Sequence, residues 1–221
     1  MFRFFVNKKV NNEFQLEQKT LNHMKVARVW NEKFICVYDE KFYICKLNSA
    51  NNAEIVEELN ENHELGGDVI IAISFIEPKR FEWLIQKAAE LGASKIIPMI
   101  SDNVSKKLPK DFDKKLVRWN EIALNASEQS FRNKQLVVEP IMKFDDVLEI
   151  HCENKFIAHE KSDSDEMTTY PTQSLFLVGP EGGFSEEEII KARSHDFQVI
   201  SLGKRILRAE TAPLKILSRI N

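Results

Sequence analysis

Short runs of alternating apolar and polar residues characterise about the first third of the chain. Residues 34–38 and 42–47 are two such runs, and polar turn residues separate them. A period of two is typical of half-buried strands joined by tight turns. This part is therefore predicted to be a small β-barrel or meander, and Gly66 and Gly67 mark the turn that ends it. The first predicted domain covers residues 1–67.

From residue 68 onward, apolar runs of strand length alternate with segments of helical periodicity. An order of strand, helix and strand repeated this often predicts an α/β fold with a mostly parallel sheet covered on both faces. The second predicted domain covers residues 68–221. Its strands are predicted at 68–76, 95–100, 155–158, 174–178 and 198–202, and its helices at 81–91, 112–130, 145–150, 185–194 and 208–220. Residues 136–141 form a further apolar stretch.

The composition excludes several classes of protein. It is that of an ordinary globular protein, with 43% hydrophobic and 29% charged residues. No apolar run approaches the roughly 20 residues of a membrane span, and the run at the start is too short for a signal peptide. Three cysteines are too few and too scattered for a disulfide framework, and the histidines show no metal-ligand spacing with them. We expect a cytoplasmic protein that needs neither a membrane nor a metal.

The net charge of −3 conceals an uneven distribution of charge along the chain. Basic residues outnumber acidic ones six to two in 1–29, eight to four in 104–134 and five to one in 201–221. Acidic residues dominate 36–70 and 145–170. If the basic blocks meet in space, they form a phosphate-binding face. Solvated helix faces are the alternative on charge alone.

Two segments near the C-terminal end hold four of the seven glycines. Residues 177–185 and 201–212 each begin with an apolar strand, break at glycine and continue into a helix. Ligands of parallel sheets bind at the carboxyl ends of the strands, and glycine allows the backbone to approach a ligand closely. The glycine spacing is neither the dinucleotide fingerprint nor a Walker loop. A sharp turn without a ligand is the alternative.

The residues that follow each glycine group carry further information. Ser185 and Glu188 have capping-box spacing, so a helix is predicted to begin directly after the first loop. After the second loop, three cations at 204, 205 and 208 precede a predicted helix. Cations at a helix N-terminus oppose the macrodipole, which indicates that they serve another purpose.

These two segments, LVGPEGGFSEEEI at 177–189 and SLGKRILRAETA at 201–212, resemble the RsmE family of ribosomal RNA uridine-N3 methyltransferases in the SPOUT superfamily. Supporting motifs follow in the same order as in the family. They are RFFV at 3–6, NHMKVARV at 22–29, QKAAELGASKIIPM at 86–99 and RWNEIALNASEQSFR at 118–132. The resemblance therefore extends over essentially the whole chain.

The resemblance implies a SPOUT-type α/β domain whose C-terminal end forms a trefoil knot, preceded by a small PUA-like β-barrel domain that binds RNA. It also implies a homodimer, with S-adenosylmethionine held between the knot loops. The implied reaction is methyl transfer to N3 of one uridine in 16S ribosomal RNA, as free RNA or within the small ribosomal subunit.

The resemblance also assigns residues to roles. The cofactor-binding residues implied are His159, Leu177, Gly179, Pro180, Glu181, Gly182, Gly183, Leu202, Gly203, Ile206, Leu207 and Arg208. Glu160 is a further candidate beside His159. The RNA-binding residues implied are Arg3, His23, Lys25 and Arg28 in the first domain, and Gln129, Ser130, Arg132 and Arg205 in the second.

The chemistry narrows the choice of catalytic residues. N3 of uracil carries a proton and takes part in base pairing, so the base must be unpaired or flipped out. Loss of that proton leaves negative charge on the imide oxygens, which an arginine would stabilise. Arg208 is the first candidate for this role and Arg132 the second. Glu181 is a candidate for accepting a proton or orienting a ligand, although a structural role in the loop is an equal alternative. No residue is identified as a general base.

Two other functions stay open. One is a SPOUT enzyme that methylates a ribose 2′-oxygen, and the other is a non-catalytic RNA-binding protein on the same scaffold. The intact glycine loops argue against the non-catalytic protein. The order of motifs along the whole chain favours uridine N3 over the ribose.

Overall fold

A computed structural model describes residues 1–104, 111–160 and 167–221. Lys106, Lys107 and Lys110 of the second basic block lie outside these residues. The chain divides into two compact units, and the first of them combines Met1–Glu64 with Ser127–Gln135. The second combines Leu65–Ala126 with Leu136–Asn221. Residues 127–135 thus belong with the first unit, whereas the sequence pattern places them in the second domain.

A six-stranded mixed sheet forms most of the first unit, with the strand order β1-β4-β5-β6-β3-β2. Strand β1 pairs with β4 in parallel, and the other described pairings in this sheet are antiparallel. The elements of the first unit are β1 (Arg3–Phe5), β2 (Lys9–Val10), β3 (Glu13–Phe14), α1 (Gln18–Val26), β4 (Phe34–Tyr38), β5 (Lys41–Leu47) and β6 (Ala53–Leu59).

Strand β4 is buried on both of its faces. Phe34 and Cys36 belong to one apolar cluster, together with Met24 of α1. Ile35 and Val37 belong to another, which Phe131 joins. Alternation along β4 therefore places apolar side chains on both sides of the sheet. Phe131 covers the second face, which accounts for the grouping of residues 127–135 with this unit.

The sheet of the second unit is parallel in all its described pairings, as predicted. Its strand order is β10-β8-β7-β12-β11-β13, and β9 also pairs with β8. The elements are β7 (Val69–Ser74), α2 (Pro78–Glu90), β8 (Lys95–Ile100), α3 (Phe112–Gln129), β9 (Val137–Val138), β10 (Met142–Lys143), α4 (Phe144–Leu148), β11 (Asn154–Ala158), β12 (Ser174–Val178), α5 (Glu186–Ser194), β13 (Gln198–Ile200) and α6 (Thr211–Leu217). The last three residues of α3 are counted in the first unit.

Helices cover both faces of the parallel sheet. Phe81 of α2, Trp119 of α3 and Ile216 of α6 pack on one face. Val147 of α4 and Ile189 of α5 pack on the other. Because neighbouring residues of a strand point to opposite faces, the continuous apolar strands supply both cores. None of the helices in the described residues is long and apolar enough to cross a membrane.

Candidate active site

A pocket with a water-accessible volume of about 160 Å³ lies at the carboxyl ends of β11, β12 and β13. This is the edge where open parallel sheets bind their ligands. Residues of both glycine loops line it. Its lining includes His159, Gly179, Pro180, Glu181, Gly183, Leu202, Gly203, Ile206 and Leu207 from the predicted cofactor-binding set.

Three residues of that set lie elsewhere among the described residues. Leu177 is fully buried in the core on the α5 face of the sheet. Gly182 and Arg208 are exposed but are not part of the described lining. Glu160, the further candidate beside His159, also lines the pocket. The other lining residues were not in the predicted cofactor set, and they are Ala158, Val178, Phe184, Lys204, Arg205, Ala209 and Ala212.

The first loop is a tight turn that depends on its glycines. Gly183 N–H donates to the carbonyl of Pro180 at 2.9 Å, which closes the turn. Gly183 has φ of +69°, a backbone conformation that residues with a side chain rarely adopt. A Cβ atom on Gly179 would lie 3.2 Å from the carbonyl carbon of Gly183 and 3.3 Å from its Cα. The close approach of Gly179 to Gly183 therefore leaves little room for a side chain at Gly179.

Helix α5 begins directly after this loop with the predicted capping box. The Ser185 hydroxyl accepts from Glu188 N–H at 3.2 Å, and the Glu188 carboxylate accepts from Ser185 N–H at 2.8 Å. Asp102, which follows β8, joins the same network. Its N–H donates to Glu188 at 2.9 Å, and its carboxylate accepts from the Ser185 hydroxyl at 2.8 Å. These bonds attach the loop after β8 to the start of α5.

Asn103 supports the first loop from the side. Its amide donates to the carbonyls of Gly182 and Gly183, at 3.4 and 3.2 Å. Gly182 packs closely against Asn103, whose Cβ lies 3.2 Å from the position of an added Cβ. Gly182 thus faces Asn103. Asp102 and Asn103 were missed in the sequence, although their position after a parallel strand is a signal that could have located them.

The second loop presents cations and apolar side chains to the pocket. Gly203 has φ of +91°, and its N–H donates to the Ser201 hydroxyl at 3.2 Å. Ile206 is 85% exposed at the pocket, so a ligand there would cover apolar surface. The carbonyl of Arg208 accepts from Thr211 N–H at 2.8 Å and from Ala212 N–H at 3.1 Å, at the start of α6. The backbone of Arg208 is therefore fixed while its side chain is exposed.

Arg132 lies in the first unit and is only 4% exposed. It forms a two-point ion pair with Glu64. Burial acts to raise the pKa of Glu64, but the Arg132 guanidinium and the N–H groups of Lys134 and Asn133 outweigh it and hold that pKa below its ordinary value. This environment favours a structural role for Arg132 over the predicted contact with the target uridine. Arg132 is absent from the lining that the structure describes for the pocket.

Arg3 also makes contacts within the first unit. Its guanidinium donates to the carbonyls of Glu128 and Gln129 and lies 4.9 Å from the centre of the Phe131 ring. Arg3 thereby attaches residues 127–135 to strand β1. Among the other residues predicted to bind RNA in this unit, Ser130 is half-buried. The others are exposed, and they are His23, Lys25, Arg28 and Gln129.

In the described ranges, no group of three or more His, Cys, Asp or Glu side chains is placed to hold a metal ion. The pocket is formed instead by glycine backbone, apolar side chains and a few charged groups. Such a lining suits an organic ligand with both apolar and charged parts.

Comparisons with known proteins identify the family. A family model described as an RNA methyltransferase domain matches residues 62–221. Ribosomal RNA small subunit methyltransferase E of Mesomycoplasma hyopneumoniae (strain 232) is 43% identical over 99% of this chain and 98% of that protein. The protein of the same name from Bacillus subtilis (strain 168) is 34% identical over 94% of this chain and 89% of its own length.

A solved structure extends this likeness to the fold. The crystal structure of ribosomal RNA small subunit methyltransferase E from Neisseria gonorrhoeae, bound to S-adenosyl methionine, has a TM-score of 0.86 and 32% identity. The match covers 99% of this chain and 95% of that one. The expected fold class, a SPOUT-type parallel sheet preceded by a PUA-like β domain, is confirmed. The chain therefore belongs to the RsmE family of ribosomal RNA small subunit methyltransferases.

Proposed function

We propose that this protein transfers the methyl group of S-adenosylmethionine to N3 of one uridine in 16S ribosomal RNA. The observation that carries the proposal is the pocket where both glycine loops meet at the carboxyl ends of β11, β12 and β13. The family membership supports the same reaction, because a relative of almost equal length was solved with S-adenosyl methionine bound.

The chemistry of the pocket lining fits this cofactor. Leu202, Ile206 and Leu207 offer apolar walls for the adenine ring. A ligand can approach the backbone of the first loop closely because Gly179 and Gly183 have no side chains. The carboxylates of Glu160 and Glu181 suit its cationic groups, and Lys204 suits its carboxylate. When bound, S-adenosylmethionine supplies an activated methyl group on its sulfonium.

The protein then has to align the base and stabilise the charge that develops on it. Arg208 is our candidate for stabilising the imide oxygens, since its backbone is fixed at the start of α6 and its side chain is exposed. Arg205, which precedes Arg208 in the same segment, is suited to nearby RNA phosphates. Glu181 stays a candidate for orienting the ligand.

The first unit is proposed to bind the RNA. His23, Lys25 and Arg28 are exposed in and after helix α1, as phosphate contacts require. Gln129 and Ser130 remain candidates for contacts with the RNA near the target. A homodimer and a cytoplasmic location are further proposals that rest on the resemblance to the family.

Modified nucleosides provide the test. Purified protein, S-adenosylmethionine and unmethylated small ribosomal subunits are incubated together, and the digested RNA is analysed by mass spectrometry. We expect 3-methyluridine, and a parallel reaction with free 16S RNA identifies the preferred substrate. Fragmentation separates a methyl group on the base from one on the ribose, so 2′-O-methyluridine would favour the ribose methyltransferase. Binding of RNA with no methylated product at any protein concentration would favour the non-catalytic protein.

A further inference from the structure

Arg80 of helix α2 lies between two carboxylates, one from each glycine-loop segment. Its Nη1 is 3.6 Å from Oε1 of Glu181 in the first loop, and its Nε is 3.7 Å from Oε1 of Glu210 after the second. The backbone of Arg80 is itself fixed, because its N–H donates to the Glu77 carboxylate at 3.1 Å in the first turn of α2. One cation on a rigid helix therefore faces both segments that form the pocket.

The carboxylate of Glu210 depends on this cation. Its side chain is only 9% exposed, and its Oε2 is buried without a hydrogen-bond partner among the residues that the structure describes. A buried charge without compensation is strongly unfavourable. Ala209 and Ala212, on either side of Glu210, line the pocket. A shift of Glu210 would thus be transmitted directly to the pocket wall.

Fold stability does not explain the contact between Arg80 and Glu181. The Arg80 and Glu181 side chains are 41% and 39% exposed and lie 3.6 Å apart, so this pair contributes little to stability. Glu82 of helix α2 forms a tighter ion pair with Arg118 of helix α3, at 2.8 Å. This ion pair involves neither glycine loop. The longer Arg80 contacts matter because they connect the two glycine-loop segments.

We propose that Arg80 is a positioning residue that holds the two glycine loops at the spacing required for cofactor binding. Arg80 acts through Glu181 and Glu210 and is itself outside the described pocket lining. The ligand in this proposal, S-adenosylmethionine, is taken from the proposed function. The effect on that ligand is expected on affinity and KM, because Arg80 stabilises the shape of the pocket and does not contact the reacting atoms.

Calorimetric titration of S-adenosylmethionine into the full-length protein tests the proposal. We expect Arg80→Ala to raise the Kd by about five- to tenfold, with a parallel rise in KM and a kcat changed by less than about twofold. Arg80→Lys, which keeps the charge, is expected to recover part of the affinity. Arg118→Ala is the matched control, since it breaks an ion pair of the same helix, and is expected to bind as the wild type does.

A double-variant cycle examines the route of the effect. If Arg80 acts through Glu181, then Arg80→Ala and Glu181→Ala together raise the Kd by less than the product of the two single effects. Unchanged affinity in Arg80→Ala, or a loss equal to that of Arg118→Ala, overturns the proposal. So does a loss of affinity that vanishes at temperatures where the variant is fully folded. If the wild-type protein itself fails to bind S-adenosylmethionine, the proposed function fails, and that result is distinct from failure of the Arg80 variants alone.

Discussion

The Arg132 guanidinium and the Glu64 carboxylate form a buried two-point ion pair, with 2.9 Å between Nε and Oε1 and 2.6 Å between Nη2 and Oε2. Glu64 accepts two further hydrogen bonds from the N–H groups of Asn133 and Lys134. Arg132→Ala would leave this carboxylate buried without its cation. We expect a loss of about 3–5 kcal/mol in the free energy of unfolding, measured by urea denaturation.

Arg118→Ala is the control for this substitution, because the Arg118 side chain is 64% exposed. We expect its free energy of unfolding to stay within about 0.5 kcal/mol of the wild type. The competing role for Arg132 is contact with the target uridine. An Arg132→Ala protein that unfolds like the wild type but no longer methylates RNA would support that catalytic role and contradict the structural one.

Glu128 gives the first unit a predicted dependence on pH. Burial raises the pKa of its carboxyl to about 7, and the Phe5 N–H and the charges of Lys19 and Arg3 oppose this only in part. Between pH 4.5, the ordinary value, and about 7, the folded protein holds a proton that the unfolded chain has lost. The free energy of unfolding therefore falls as the pH rises through this window.

Glu128→Gln removes the titrating group but keeps an oxygen for the Phe5 N–H, which donates to Glu128 Oε1 at 3.1 Å. We expect this variant to be more stable than the wild type by about 1–3 kcal/mol at pH 8, and the difference to shrink towards pH 5. Denaturation at several pH values measures it. Gln129→Ala, a neighbouring substitution without a titrating group, should shift stability equally at each pH. A constant difference for Glu128→Gln would show that the carboxyl is ionised throughout.

Gly179→Ala tests the fold of the first loop. The added Cβ would lie 3.2 Å from the carbonyl carbon of Gly183 and 3.3 Å from Cδ2 of Phe184. Both distances are shorter than an ordinary van der Waals contact, so the loop has to give by a few tenths of an ångström. Overpacking costs about 1–3 kcal/mol, which corresponds to about 5- to 150-fold in affinity for S-adenosylmethionine.

Titration calorimetry measures this loss of affinity, and Gly66→Ala serves as the control. An added Cβ on Gly66 meets no atom within 4 Å, so binding should stay unchanged. If Gly179→Ala binds S-adenosylmethionine as tightly as the wild type, the close approach of Gly179 to Gly183 is not needed for the pocket.

Local signals in the sequence predicted the two loops well. Glycine after an apolar strand identified both of them, and the spacing of Ser185 and Glu188 predicted the start of α5 with its capping box. Such signals operate over a few residues, so the pattern of residue types records them. The trefoil knot is different, because the order of elements does not encode how a chain threads. Only the resemblance to the family implies it.

The sequence alone could not predict ion pairs between residues that are far apart in the chain. Arg132 and Glu64 are separated by 68 positions, and an isolated ion pair leaves no periodic pattern. The sequence alone therefore indicated an RNA contact for Arg132, and only the structure identifies Glu64 as its buried partner. Arg80 was missed for the same reason. Its two partners, Glu181 and Glu210, lie about a hundred or more positions further along the chain. Contacts of this kind depend on the assembled fold.

Arg208→Ala addresses the chemical step itself. The carbonyl of Arg208 accepts from Thr211 and Ala212 at the start of α6, and these bonds do not involve the side chain. The substitution should therefore leave the fold and the affinity for S-adenosylmethionine unchanged. Loss of a group that stabilises developing charge lowers kcat by about 100- to 1,000-fold in comparable sites.

Single-turnover methylation of small ribosomal subunits measures the rate of the chemical step, and calorimetry measures the affinity for the cofactor. Arg193→Ala, an exposed arginine of α5, controls for a general loss of positive charge. A wild-type rate in Arg208→Ala would exclude this arginine from catalysis, whereas loss of cofactor affinity with an unchanged rate at saturation would assign it to the pocket.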